Sequence, residues 1–266
     1  MRKLAAIAGI IIATVLVLGV DLASAATIPS RTTGLPTSSN GASSMHLAWA
    51  LDAQPTMKVS AVVTITQLPT VSRLYFWALQ ADFLDATGSR VGAAHLGLQW
   101  NPAHPGSTAV NFGGYNETTG GTTELTGDAS KLPSKPGNAN TRDFTWVAGR
   151  AYQLTISDAH DGWWTGSVTD MTTGTTTAVR KLHGGGVRLG RPTVWTESFA
   201  KCDDPSVAAA WSELSPRPAE LLVIYQSFND GGCTNTNASK DPTGGVVQRS
   251  NTRRTTVAYE SLRLGW

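Results

Sequence analysis

The sequence predicts an all-β protein, a jelly-roll-like antiparallel β-sandwich with one short helix. Three observations predict it. Segments of alternating apolar and polar residues recur at short spacing. Turn residues punctuate them. Thr, Val and aromatic residues are frequent in a chain with only 15% charged residues.

The chain opens with Met1-Arg2-Lys3, then runs 17 residues, Leu4 to Val20, without a charge. Asp21 ends the run, and Ala23-Ser24-Ala25 supplies small residues at a peptidase site. This is the layout of a secretory signal peptide, residues 1–25. The run is shorter than the ~20 residues a membrane span needs. The expectation is cleavage near Ala25 and a secreted, extracellular mature chain that does not span a membrane. Residues 26–44, rich in Thr, Ser, Gly and Pro, read as a flexible lead-in. Residues 45–266 form the single sandwich domain. Loss of Arg2, Lys3 and Asp21 takes the net charge from +2 to +1. So neutral a surface has no electrostatic pull on nucleic acid.

From about residue 45 the period is two: Val59, Ala61, Val63 and Ile65 alternate with Lys58, Ser60, Val62 and Thr64. Residues 73–83 are rich in aromatics without clean alternation, which suits a strand covered on both faces. Further strands are expected at 91–100, 108–115, 150–158, 163–171, 175–182, 193–200, 220–228 and 255–264, separated by turns such as Asp161-Gly162, Lys135-Pro136-Gly137-Asn138 and Gly184-Gly185-Gly186. At least ten strand candidates favour a jelly roll over an immunoglobulin-type domain. In such folds the first and last strands often pair. A helix is expected over 207–214, with Asp204 as cap, Pro205 in the first turn, three alanines inside and Pro216 and Pro218 beyond. Cys202 and Cys233 should pair in an oxidising compartment and close a loop around that helix, an excursion stapled at its base.

Three constellations carry the candidate chemistry. In residues 95–115, Trp100 and Tyr115 offer flat apolar faces, while Asn101, His104 and Asn111 offer short polar groups. Because Leu96, Leu98 and Trp100 share a strand face, Trp100 is equally a core residue. In Asp158-Ala159-His160-Asp161-Gly162-Trp163-Trp164, the adjacent tryptophans point to opposite faces, and the acidic turn is either a structural calcium loop or a β-turn capped by Asp. In Trp195-Thr196-Glu197-Ser198-Phe199, alternation sets Glu197 on one face with Trp195 and Phe199. Burial among aromatics raises a carboxyl pKa, so Glu197 is the best catalytic candidate. The chain lacks a His-Glu-x-x-His helix, a Gly-x-Ser-x-Gly elbow, a phosphate loop and metal-ligand spacing of Cys and His. No cofactor and no metal other than the calcium are expected.

Residues 73–266 resemble a group of secreted bacterial domains whose strands read like concanavalin-type lectin and glucanase sandwiches. The resemblance rests on Tyr75-Phe76-Trp77, on 95–100, on 110–115 and on 163–170. It implies the sandwich fold and a carbohydrate context, and it carries over no catalytic residue. With nine Trp and five Tyr, the expectation is a carbohydrate-binding or cell-envelope-associated domain, its partner a glycan or cell-wall polysaccharide. A glycoside hydrolase or lyase with dispersed carboxylates is one alternative, pairing Glu197 with Glu260, Asp170 or Asp158. An interaction module without a small ligand is another.

Overall fold

The computed structural model describes residues 32–49, 56–133, 138–216, 222–229, 233, 236–255 and 261–264. The expected signal peptide and residues 26–31, the Lys135-Pro136-Gly137 turn, Glu220 and Glu260 lie outside the described residues. The strands are β1 (Ser43–Trp49), β2 (Lys58–Gln67), β3 (Tyr75–Leu84), β4 (Arg90–Trp100), β5 (Thr108–Thr118), β6 (Gly121–Glu124), β7 (Thr141–Asp143) and β8 (Ala151–Asp158). They continue as β9 (Trp163–Asp170), β10 (Thr176–His183), β11 (Arg188–Ser198), β12 (Val207–Ser215), β13 (Leu222–Asn229), β14 (Asn237–Lys240), β15 (Val246–Ser250) and β16 (Ser261–Leu264). A single 3-10 turn, Pro105–Ser107, is the helical element among the described residues.

Two antiparallel sheets form the sandwich. The larger runs β16-β13-β1-β11-β3-β4-β5-β6, with β7 also on β5, and the smaller runs β10-β9-β8-β2-β12-β15-β14. Alternation decides what lies between them. Leu47, Trp77, Leu79, Leu96, Leu98, Phe112 and Val194 from the larger sheet meet Val59, Val63, Leu154, Ile156, Trp164, Val207 and Trp211 from the smaller, all at most 1% exposed.

Two expectations are corrected. Residues 207–214 are not a helix but most of β12, paired to β2 on one side and β15 on the other. Their alanines favour a helix when alone, but Val207, Ala209 and Trp211 alternate into the core, and tertiary pairing overrides propensity. The segment enclosed by the disulfide is therefore no excursion: it supplies β12 to one sheet and β13 to the other. Nor do the terminal strands pair, because β13 lies between β1 and β16. The disulfide itself joins Cys202 to Cys233, Cα atoms 5.3 Å apart. Among the described residues no helix is long and apolar enough to cross a membrane.

One buried polar side chain ties the sheets together. Gln248 on β15 accepts at Oε1 from the Trp211 indole (2.8 Å) and from Thr196 Oγ1 (2.9 Å), and donates from Nε2 to the Met45 carbonyl (2.9 Å). Gln248→Leu leaves three buried groups without their partner, so urea denaturation should show a loss of about 2–4 kcal/mol. A loss under about 1 kcal/mol would mean that these groups find other partners.

Candidate active site

The face of the larger sheet turned away from the core carries the unusual side chains. Pairing registers arrange them in rows across the strands. Ser44, Glu197, Phe76 and Gln99 form one row, on β1, β11, β3 and β4. His46, Trp195, Ala78, Gly97 and Asn111 form the next, reaching β5. Ala48, Thr193, Gln80, His95 and Gly113 form the third, and Asp82, Ala93, Tyr115 and Glu124 lie beyond it.

Phe76, Ala78 and Trp195 make a small apolar cluster separate from the main core. The Trp195 ring meets the Phe76 edge at 4.9 Å, His46 at 5.7 Å and His95 at 5.9 Å. Gly97 makes this packing possible. A Cβ there would stand 2.7 Å from Phe76 Cε2 and 2.1 Å from the Trp77 carbonyl. The Trp195 Nε1 donor is buried and has no acceptor among the described residues. Burial pushes the imidazoles of His46 and His95 down to about 4, with the Arg191 charge adding to the effect at His46. Both are neutral at neutral pH.

Glu197 is half-buried beside this cluster, and burial raises its pKa. One bond opposes the rise: Asn40 Nδ2 donates to Glu197 Oε1 at 2.9 Å. The Asn40 amide cannot usefully flip, because its Oδ1 accepts from Ser38 Oγ (2.9 Å) and from the Ala42 amide (3.2 Å). Asn40 belongs to residues 26–44. In that segment Gly34 also bonds Cys202 and Asp203, and β1 begins at Ser43.

Among the described residues, Glu197 stands apart from Asp82 and Asp143. Asp82 lies six residues along β3 from the strand partner of Glu197, or about 20 Å. Asp143, on β7, lies four strand spacings away, or about 19 Å.

The residues expected to bind ligand divide between surfaces. Trp195, Asn111 and Tyr115 share the Glu197 face. Asn111 donates from Nδ2 to Thr141 Oγ1 at 2.9 Å, and Tyr115 accepts from Arg90 Nη2 at 2.6 Å. Trp100 points the other way and packs against the main core. Asn101 sits in the turn after β4, donating to Gln99 Oε1 at 3.0 Å and accepting from the Ala103 amide. His104 is buried, with Nδ1 2.6 Å from Asp143 Oδ1. On the smaller sheet, Trp164 is buried against Phe83 at 5.2 Å, while Trp163 meets His183 at 5.2 Å. In the acidic turn, Asp158 Oδ1 accepts from the His160 amide at 3.0 Å, and His160, Asp161 and Gly162 all have positive φ. Among the described residues no three His, Cys, Asp or Glu side chains gather to hold a metal ion.

Sequence reasoning missed Asn40, His46, Phe76 and Gln80. His46 and Phe76 carry no local signal; only the pairing of β1 and β3 with β11 brings them to Trp195.

No family model and no curated protein sequence matches this chain. Similar solved structures include a scytalido-glutamic peptidase with a peptide-based transition-state analog, at 11% identity and a TM-score of 0.41 over 78% of this chain and 98% of that one. A second structure of that peptidase, with a transition-state analog inhibitor, gives 12% and 0.37 over 83% and 99%. SCP-B, a member of the eqolisin family of peptidases in complex with the tripeptide Ala-Ile-His, gives 12% and 0.42 over 78% and 98%. These likenesses are too loose to transfer any residue or activity. They do correct the earlier expectation: the solved structures named here are peptidases, and none of the three is a lectin or a glucanase. Neither the carbohydrate-binding domain with its glycan partner nor the glycoside hydrolase alternative stands.

Proposed function

We propose that the outer face of the larger sheet is a hydrolytic site in which Glu197 acts as the general base and then the general acid on a peptide bond. The observation that carries this reading is Glu197 itself, a half-buried carboxyl with a raised pKa against an aromatic wall. Glu197 would take a proton from the attacking water, and pass it to the departing amine as the C–N bond breaks. Among the described residues, Asp82 and Asp143 stand too far from Glu197 to be the second carboxyl that a glycosidase needs within about 5–10 Å. A polypeptide fits the rows better, because side chains on one strand face repeat about every 6.6 Å, the repeat of an extended chain. The resemblance to peptidases adds nothing at this distance, and the reading stands on the residues.

Export is part of the proposal. It rests on the n-region, apolar run and Ala23-Ser24-Ala25 site, and the disulfide agrees with an oxidising compartment.

The test is incubation of the disulfide-bonded protein with an unfolded polypeptide between pH 3 and 7, with fragments identified by mass spectrometry. Discrete fragments are expected from the wild type. Their absence across the range would sink the assignment.

A further inference from the structure

At the far end of the same face, His46, Ala48, Gln80, Asp82, Arg90, Arg191 and Thr193 line an open cavity of about 250 Å³. The volume suits one side chain and falls below that of drug-sized sites. Its charges are unequal in freedom. Arg90 is committed: its Nε bonds Asp82 Oδ1 at 3.0 Å, its Nη2 donates to the Tyr115 hydroxyl, and its Nη1 pairs with Glu117. Arg191 is an exposed residue with no hydrogen-bond or ion-pair partner among the described residues, its charge reaching the Asp82 carboxyl only at longer range.

The backbone is bent to place it there. The register between β11 and β3 shifts between Gly190 and Thr193, so Arg191 and Pro192 stand opposite one residue of β3. Such a bulge re-aims a side chain. Arg191 also has φ of 41°, a left-handed conformation that is costly for a residue with a Cβ. Thr193 Oγ1 supports the bend by donating to the Arg191 carbonyl at 3.1 Å.

The geometry points to a subsite for a substrate carboxylate, gripped by Arg191, about four residues along an extended chain from the bond facing Glu197. That spacing follows from Thr193, four residues before Glu197 on β11, or about 13 Å. The carboxylate can come from an acidic side chain or from the chain's C-terminus. This inference rests on the hydrolytic reading only for its register. The cavity and its cation stand without it.

Four peptides test it, identical except for Glu or Gln at one position and a free or amidated C-terminus. They are titrated by calorimetry into the Glu197→Gln protein, where no cleavage intervenes. The Glu peptide is expected to bind about tenfold tighter than its Gln counterpart, as a charge-assisted contact allows. Arg191→Ala should erase the difference. Arg191→Gly should do the same while accepting the positive φ without strain. Discrimination that follows the free C-terminus supports the same chemistry from the other source. Equal affinities, no binding of any peptide, or discrimination that survives both variants overturns it. Failure of the hydrolytic reading is separable: a wild type that cleaves nothing while its Glu197→Gln form still discriminates loses the role of Glu197 and keeps the subsite.

Discussion

Glu197→Gln is expected to lower the rate of peptide cleavage about a thousandfold, the scale of a lost general acid–base group, while the folded protein becomes more stable at neutral pH. Both effects have one cause. Burial raises the Glu197 pKa in the folded state above its unfolded value. Proton binding then favours folding, so stability is greatest below the unfolded pKa. It falls as pH rises through the window up to the folded pKa, and is flat above it. Glutamine carries no charge to desolvate, and its oxygen still accepts from Asn40, so the loss disappears. The wild-type rate should fall in acid as Glu197 protonates, with a midpoint above the ordinary glutamate value of ~4.3. Asn40→Ala removes the bond that holds the pKa down, and should move that midpoint further up. Chemical denaturation at pH 7 and a pH–rate profile read both effects. A Glu197→Gln protein that is less stable and fully active would make the carboxylate a structural group.

A gain of stability on losing this charge would mark a group held for a reason other than folding. The candidate site is only partly legible in the sequence. The alternation of Trp195 and Glu197 about Thr196, and the aromatic setting of the carboxyl, were legible because they are local. The partners were not legible. His46 is about 150 residues away in sequence and meets Trp195 through the pairing of β1 with β11. No periodicity in either segment encodes that register. Asn40 was hidden differently: Ser, Gly and Asn in residues 38–41 have the composition of a linker, yet their side chains satisfy one another and leave one amide donor for Glu197. The same limit explains β12. Three consecutive alanines are ambiguous, and what makes them a strand is a pair of neighbours distant in sequence. The strands with strong local alternation, β2, β8 and β9, were read within a few residues of their ends.

Removing the disulfide should give the second large effect, a loss of about 3.5 kcal/mol in stability. The bond joins residues 31 apart, and freeing a loop of that length returns about that much chain entropy to the unfolded state. The native side argues that the loss will be felt in full. The enclosed segment leaves the larger sheet after β11, crosses to the smaller one as β12 and returns as β13, so the bond limits the only path between those two pairings. Alanine is the right replacement at both positions, since Cys202 and Cys233 are 3% and 1% exposed and a serine hydroxyl there would need a partner. The consequence extends to the site. The Cys202 amide donates to the Gly34 carbonyl at 2.7 Å, and the Gly34 amide to Asp203 Oδ1 at 2.9 Å. Those two bonds moor the segment that presents Asn40 to Glu197. The Cys202→Ala/Cys233→Ala protein should therefore unfold at lower urea and also show the upward shift of the acid limb expected for Asn40→Ala. A full loss of stability with an unmoved acid limb would mean that β1 alone positions Asn40, since its pairing with β11 survives the change.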